Sequence, residues 1–99
     1  MKSLATALVM KGKIKTTLAR AKELRHFAER LVTYGKMENK ISAYRKIGET
    51  LSRVAAKKLM VDVVPKYAER NGGYTRIIKL GQRKSDAAHM AFIEFVPKQ

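Results

Sequence analysis

Apolar and polar residues follow two different periods along this chain, and the change from one to the other outlines its elements. Leu18, Ala21, Leu24, Ala28, Leu31, Val32 and Gly35 recur mainly three and four apart, which at about 100° per residue places them on one arc of a helix. Thr16 or Thr17 can cap that helix, and it runs to about Lys36. Ahead of it, Leu4, Ala5, Ala7, Leu8 and Val9 predict a short helix stopped at Lys11 and Gly12. Between the two, Lys13, Ile14, Lys15 and Thr16 alternate charged with apolar or β-branched character, as a brief strand does, with Lys13 and Lys15 on one face.

Residues 35–40 read as a turn. Ile41, Tyr44, Ile47, Gly48 and Leu51 then mark another amphipathic helix, and residues 54–64 a further one with Thr50 or Ser52 as its N-cap. Pro65 disfavours an α conformation at Val64, so this helix ends or kinks there, and residues 66–70 form a short helical turn. Residues 74–80 and 90–96 are β-rich, joined by a polar loop over residues 81–89. One early strand and two late ones imply a small sheet covered by helices.

Composition narrows what such a fold is for. The 99 residues suit one domain, expected over residues 1–99, and carry 22 Lys and Arg against 8 Asp and Glu, a net charge of +14. Such a surface repels itself unless an anionic partner is close, and nucleic acid is the commonest, with membrane phospholipid as the rival. Because 45% of residues are apolar and periodic, the charge decorates a folded body and not a disordered tail. The absence of Cys excludes disulfides and thiolate metal sites and fits a reducing compartment. Lys2 with residues 4–10 resembles a signal peptide in miniature but is too short, and far short of the about 20 residues that span a bilayer. An intracellular protein is expected.

No constellation nominates catalysis. His26 and His89 lack partners at metal-ligand spacing, and the carboxylates read as salt-bridge partners, for instance Glu29 with Arg25. Phosphate loops, nucleophile elbows and zinc-protease motifs are absent, so no enzyme, cofactor or small-molecule substrate is expected. Met37, Met60 and Met90 read as core filler, and Lys22, Glu23, His26, Glu29, Arg30 and Thr33 as solvated helix surface.

Two basic stretches stand out instead. Lys13, Lys15, Arg20, Lys22 and Arg25 crowd the start of the long helix against Glu23 alone, where the helix dipole disfavours cations, and a phosphate between them and the helix end would compensate. Further on, Gly72 and Gly73 are flanked by Arg70 and Arg76. Gly tolerates positive φ and lets a partner approach bare backbone, while Arg presents a fork of donors matched to phosphate. The pair serves as a helix stop, as a phosphate-facing corner, or as both. Tyr74 either stacks on a base or starts the strand with its ring in the core.

Residues 14–25, reading Ile-Lys-Thr-Thr-Leu-Ala-Arg-Ala-Lys-Glu-Leu-Arg, and residues 70–76, reading Arg-Asn-Gly-Gly-Tyr-Thr-Arg, together resemble the bacterial-type large-subunit ribosomal protein seventeen family. Pro65, Lys66 and Tyr67, then Lys79, Asp86, Ala87, Met90 and the closing Ile93, Glu94, Phe95 and Val96 extend the likeness over essentially the whole chain. The resemblance implies a two-layer α/β (α+β) domain in the order helix, strand, three helices, two strands. It also implies a structural component of the large ribosomal subunit, in a cytoplasmic or organellar ribosome, bound to ribosomal RNA beside neighbouring proteins near the nascent-chain exit region. Two departures stand out. The family's usual basic arm ahead of the first helix is missing, since Met1 already falls inside that helix, and Ala19 replaces a usual Pro. Either the arm was cleaved or omitted, or docking relies on the globular body alone.

On this reading Lys13, Lys15, Thr16, Thr17, Arg20, Lys22, Arg25, Arg70, Gly72, Gly73, Tyr74, Arg76, Arg83 and Lys84 are the candidate RNA-binding residues. The alternatives are a free-standing basic nucleic-acid-binding module, such as a regulator or chromosome-associated protein, and a membrane-surface protein using the apolar face of the long helix.

Overall fold

The computed structural model describes residues 2–96. Helix α1 (Lys2–Lys11) leads through Gly12 into strand β1 (Lys13–Thr17) and the long helix α2 (Leu18–Gly35). Then come α3 (Lys40–Gly48) and α4 (Arg53–Lys58), which continues through a π-helical stretch Leu59–Val63 into a 3-10 turn Val64–Tyr67. Strands β2 (Thr75–Gln82) and β3 (His89–Phe95) close the chain, so the expected order of helix, strand, three helices and two strands holds.

The element ends follow local chemistry. Gly12 sits at φ +80° and its N–H reaches the Leu8 carbonyl at 2.6 Å, ending α1 where only glycine is unstrained. Thr17, and not Thr16, caps α2, its hydroxyl accepting from the Arg20 N–H at 3.3 Å. Asn39 caps α3 by accepting from Ile41 and Ser42, and Ser52, and not Thr50, caps α4 by accepting from Ala55. Pro65 lies in the first positions of the 3-10 turn, where its missing N–H costs little, so the rod changes pitch there. Contrary to expectation, Val64 keeps α dihedrals (φ −56°, ψ −43°) and the chain stays helical through Tyr67. Met1 lies outside the described residues.

The sheet has three strands in the order β1-β3-β2, both pairings antiparallel. Its inner face, with Ile14, Thr16, Ala91, Ile93, Thr75 and Ile77 in register, turns toward the helices. Leu8, Leu24, Val32, Ile47, Leu59, Tyr67 and Ile93 are fully buried and form the centre of one core between sheet and helices. Gly35 closes α2 against the junction of the π-helical stretch and the 3-10 turn. A Cβ there would meet the Val64 Cγ2 at 2.5 Å and the Met60 Sδ at 3.2 Å, so the missing side chain is what lets the two segments meet.

Packing overrides several expectations. Helix α3 turns Ile47 inward, followed by Leu51, as expected, but pairs Ile47 with Ala43 and leaves Ile41 (74% exposed) and Tyr44 on the outside. Met37 is exposed, while Met60 is in the core. Glu29 does not pair with Arg25 on a solvated face; it is half-buried and accepts two hydrogen bonds from Thr75. The strands also extend into the expected loop. β2 continues to Gln82 through a bulge between Lys79 and Gly81, with Gly81 at φ +88°, and the connection shrinks to residues 83–88.

Candidate nucleic-acid interface

Among the described residues no helix covers the outer sheet face. Lys13, Lys15 and Thr17 on β1, Met90, Phe92 and Glu94 on β3, and Arg76 and Ile78 on β2 share it by register: Lys15 and Ile78 lie on either side of Phe92, and Lys13 and Arg76 on either side of Glu94. Alternation predicted Lys13 and Lys15 on one face, and that is where they are. The Lys13 Nζ lies 4.4 Å from the centroid of the Phe92 ring, and the Arg76 Nε donates to the Glu94 carboxylate at 2.6 Å. Arg76 therefore spends part of its guanidinium inside the protein, although its side chain is still 54% exposed. Nothing in the neighbouring sequence singles out Phe92, because its surroundings depend on which residues lie across from it.

A second basic group forms where α2 overhangs edge strand β2. Lys22, with Arg25 and His26 one turn on along the helix, and Lys79 on the strand rim a groove of about 390 Å³ floored by Leu18 and Ile77. Sequence alone marks Lys79 only through the family resemblance; its place opposite Lys22 and Arg25 comes from the strand lying against the helix. Arg20 is exposed on the first turn of α2, beside the Thr17 cap.

The double-glycine corner is held from below. The Tyr74 hydroxyl donates to the Arg70 carbonyl at 2.9 Å and accepts from the Lys36 Nζ at 3.0 Å, and Lys36 also donates to the same carbonyl. Tyr74 is 4% exposed, with its ring 5.2 Å from that of Tyr67. It therefore presents no face to a base: of the two readings of Tyr74, the ring in the core holds and base stacking does not. Gly72 and Gly73 stand at φ +133° and +63°, and a Cβ on either would meet nothing within 4 Å, so the corner is left-handed backbone open on its outer side. Arg70 is exposed beside it.

Thr16 is also corrected: at 8% exposure on the inner sheet face it serves the core and offers little hydroxyl to a partner. Arg83 is drawn into its own loop. Its Nε and Nη2 bind the two Asp86 oxygens at 2.9 and 2.6 Å, and Asp86 further accepts from the Ala88 N–H. Those bonds to Arg83, with that of Ala88 behind them, hold the Asp86 carboxyl down to about 2. Lys84 next to it is exposed.

Among the described residues no group of His, Cys, Asp and Glu is placed to hold a metal ion, and no helix is long and apolar enough to cross a membrane. The apolar face of α2 is buried in the core.

Residues 1–96 match the family model described as ribosomal protein L17. The chain is 47% identical over 96 residues to large ribosomal subunit protein bL17 of Clostridioides difficile, covering 97% of this chain and 85% of that protein. It is 50% identical over 97 residues to bL17 of Campylobacter lari, covering 97% and 82%, and 44% identical over 114 residues to bL17 of Oenococcus oeni, covering 97% and 87%.

Proposed function

This chain belongs to the ribosomal protein L17 family of the large ribosomal subunit, and from that premise we propose that it acts by holding folded large-subunit RNA through the cations around the start of α2, the outer sheet face and the double-glycine corner. The observation that carries the reading is that these cations go largely unanswered within the protein. Lys13, Lys15, Arg20, Lys22, Arg25 and Arg70 are exposed, and among the described residues the ion pairs are Arg76 with Glu94 and Arg83 with Asp86. An excess of that kind, on a body with its own core, is balanced by polyphosphate.

The mechanism is neutralisation. Lys and Arg displace condensed counterions from RNA phosphates, and the bare backbone at Gly72 and Gly73 with the Thr17 side of the sheet adds positioning contacts that read little sequence. Duplex RNA is recognised here by shape, because its deep groove hides the base edges. Neighbouring large-subunit proteins, near the exit region, are the proposed protein partners, and the exposed Ile41 and Tyr44 of α3 are apolar surface of the sort a protein covers.

The test is a binding titration against large-subunit RNA across salt concentrations. About six phosphate contacts predict a loss of roughly a thousandfold in affinity between about 50 and 200 mM salt. A flat salt response, or equal affinity for unrelated duplex DNA, overturns the proposal.

A further inference from the structure

We propose that the outer face of the sheet takes an unpaired RNA nucleotide, its base stacked on Phe92 and its phosphate held by Lys13 and Lys15. This rests on the reading of the chain as an RNA-holding ribosomal protein and adds a second mode of contact to it.

The register makes the site. Phe92 lies on the central strand, with Lys15 directly across on β1 and Ile78 directly across on β2. Directly opposed side chains on one face of a sheet lie within contact reach of each other. The ring thus has a cation on one side and an apolar wall on the other, on a face no helix covers, and Phe92 is only partly buried while Lys15 and Ile78 are exposed. An aromatic ring standing on an open, cation-edged sheet is the arrangement by which sheet surfaces stack single-stranded bases.

Lys13 supplies the handover. Its ammonium lies 4.4 Å from the Phe92 centroid, a weak contact for an exposed cation on a flexible stem. A base displacing it from the ring leaves the ammonium beside that nucleotide's own phosphate. Glu94, the one carboxylate on this face among the described residues, would repel that phosphate, but Arg76 neutralises it at 2.6 Å. The same cations argue against a protein as occupant, since the buried centres of protein interfaces are depleted in Lys.

The experiment compares a blunt RNA duplex with the same duplex carrying a single-stranded overhang that contains thiouridine. For the wild-type chain the overhang is expected to tighten binding about tenfold, which is about 1.4 kcal/mol, and irradiation is expected to crosslink the overhang to the peptide holding Phe92. Phe92→Leu, with folding checked by thermal unfolding, is expected to lose the overhang's advantage while keeping the blunt-duplex affinity, and Phe92→Tyr to retain it. Should Phe92→Leu fail to fold, the wild-type affinity difference and the crosslink position still decide. Equal binding of the two RNAs, or a crosslink elsewhere, overturns this site and leaves the RNA-holding reading standing. Failure to bind either RNA overturns both. Retention on the large subunit that falls in Phe92→Leu while the two RNAs bind equally would assign the face to a protein neighbour instead.

Discussion

Glu29 and Thr75 lock the long helix to the sheet: the Glu29 Oε2 accepts from both the Thr75 N–H at 2.8 Å and the Thr75 hydroxyl at 2.9 Å. Thr75 opens β2 immediately after the double-glycine corner, so one carboxylate on α2 sets where the corner's second end begins. Thr75 is buried, at 5% exposure. Glu29→Ala leaves two of its donors without their partner, and is expected to lower unfolding stability by about 1–3 kcal/mol in chemical denaturation. Glu29→Gln retains an acceptor and is expected to lose less. Equal losses for the two variants would show that the acceptor is not what matters.

Gly35→Ala is expected to destabilise the protein. The gain in helix propensity is at most about 1 kcal/mol, while the new methyl lands 2.5 Å from the Val64 Cγ2, inside a packed contact. Overpacking of that kind costs about 1–3 kcal/mol, and Val64 is β-branched and cannot swing aside without moving its backbone. A second change, Val64→Ala in the Gly35→Ala background, should recover part of the loss, as a double-mutant cycle by thermal unfolding would measure.

The corner separates folding from binding. Gly73, at φ +63°, has open space where a Cβ would go. Asn tolerates this backbone region and a β-branched residue does not. Gly73→Asn should therefore leave stability within about 1 kcal/mol of wild type, and Gly73→Val should cost about 1–3 kcal/mol. If bare backbone meets RNA here, incorporation into large subunits falls in both variants, more than stability does. A loss of incorporation that merely tracks stability returns the motif to a role in folding.

The loop between β2 and β3 has a pH signature. Asp86 titrates near 2, against an ordinary value of 3.8, because it accepts from Arg83 and Ala88. A depressed folded value means that the pairing supports the folded loop above about pH 4 and is lost as pH falls through about 2. NMR titration of the Asp86 carboxyl should give that low midpoint, and Arg83→Gln should move it upward toward the ordinary value. An unchanged midpoint in Arg83→Gln would assign the effect to the Ala88 N–H alone.

Much of the fold was legible because its signals are local. The three-and-four spacing in residues 18–35 and the stop at Gly12 each act within a turn or two of chain, and α2 and the end of α1 followed them; Pro65 changed the pitch of the α4 rod without taking Val64 out of the α region. The caps were narrowed to two candidates each, and geometry chose Thr17 and Ser52. The face of helix α3 was legible in part: Ile47 and Leu51 are buried as the period predicts, whereas Ile41 and Tyr44, which fit the same period, lie outside and Ala43 takes the inner place. Period alone does not say which side meets a neighbour.

The sequence by itself determined the elements, their order, the excess of positive charge and the family, because propensity, capping, charge count and motif spacing are all written in neighbouring residues. Only the tertiary structure decided that Phe92 stands between Lys15 and Ile78, that Lys79 faces Lys22 and Arg25 across a groove, that Tyr74 turns inward, and that Glu29 is committed to Thr75, a residue 46 positions away. Those outcomes follow from strand register and from packing a helix over a sheet edge. Both are settled when distant segments compete to bury apolar surface and satisfy buried polar groups, and no short stretch of chain carries that competition.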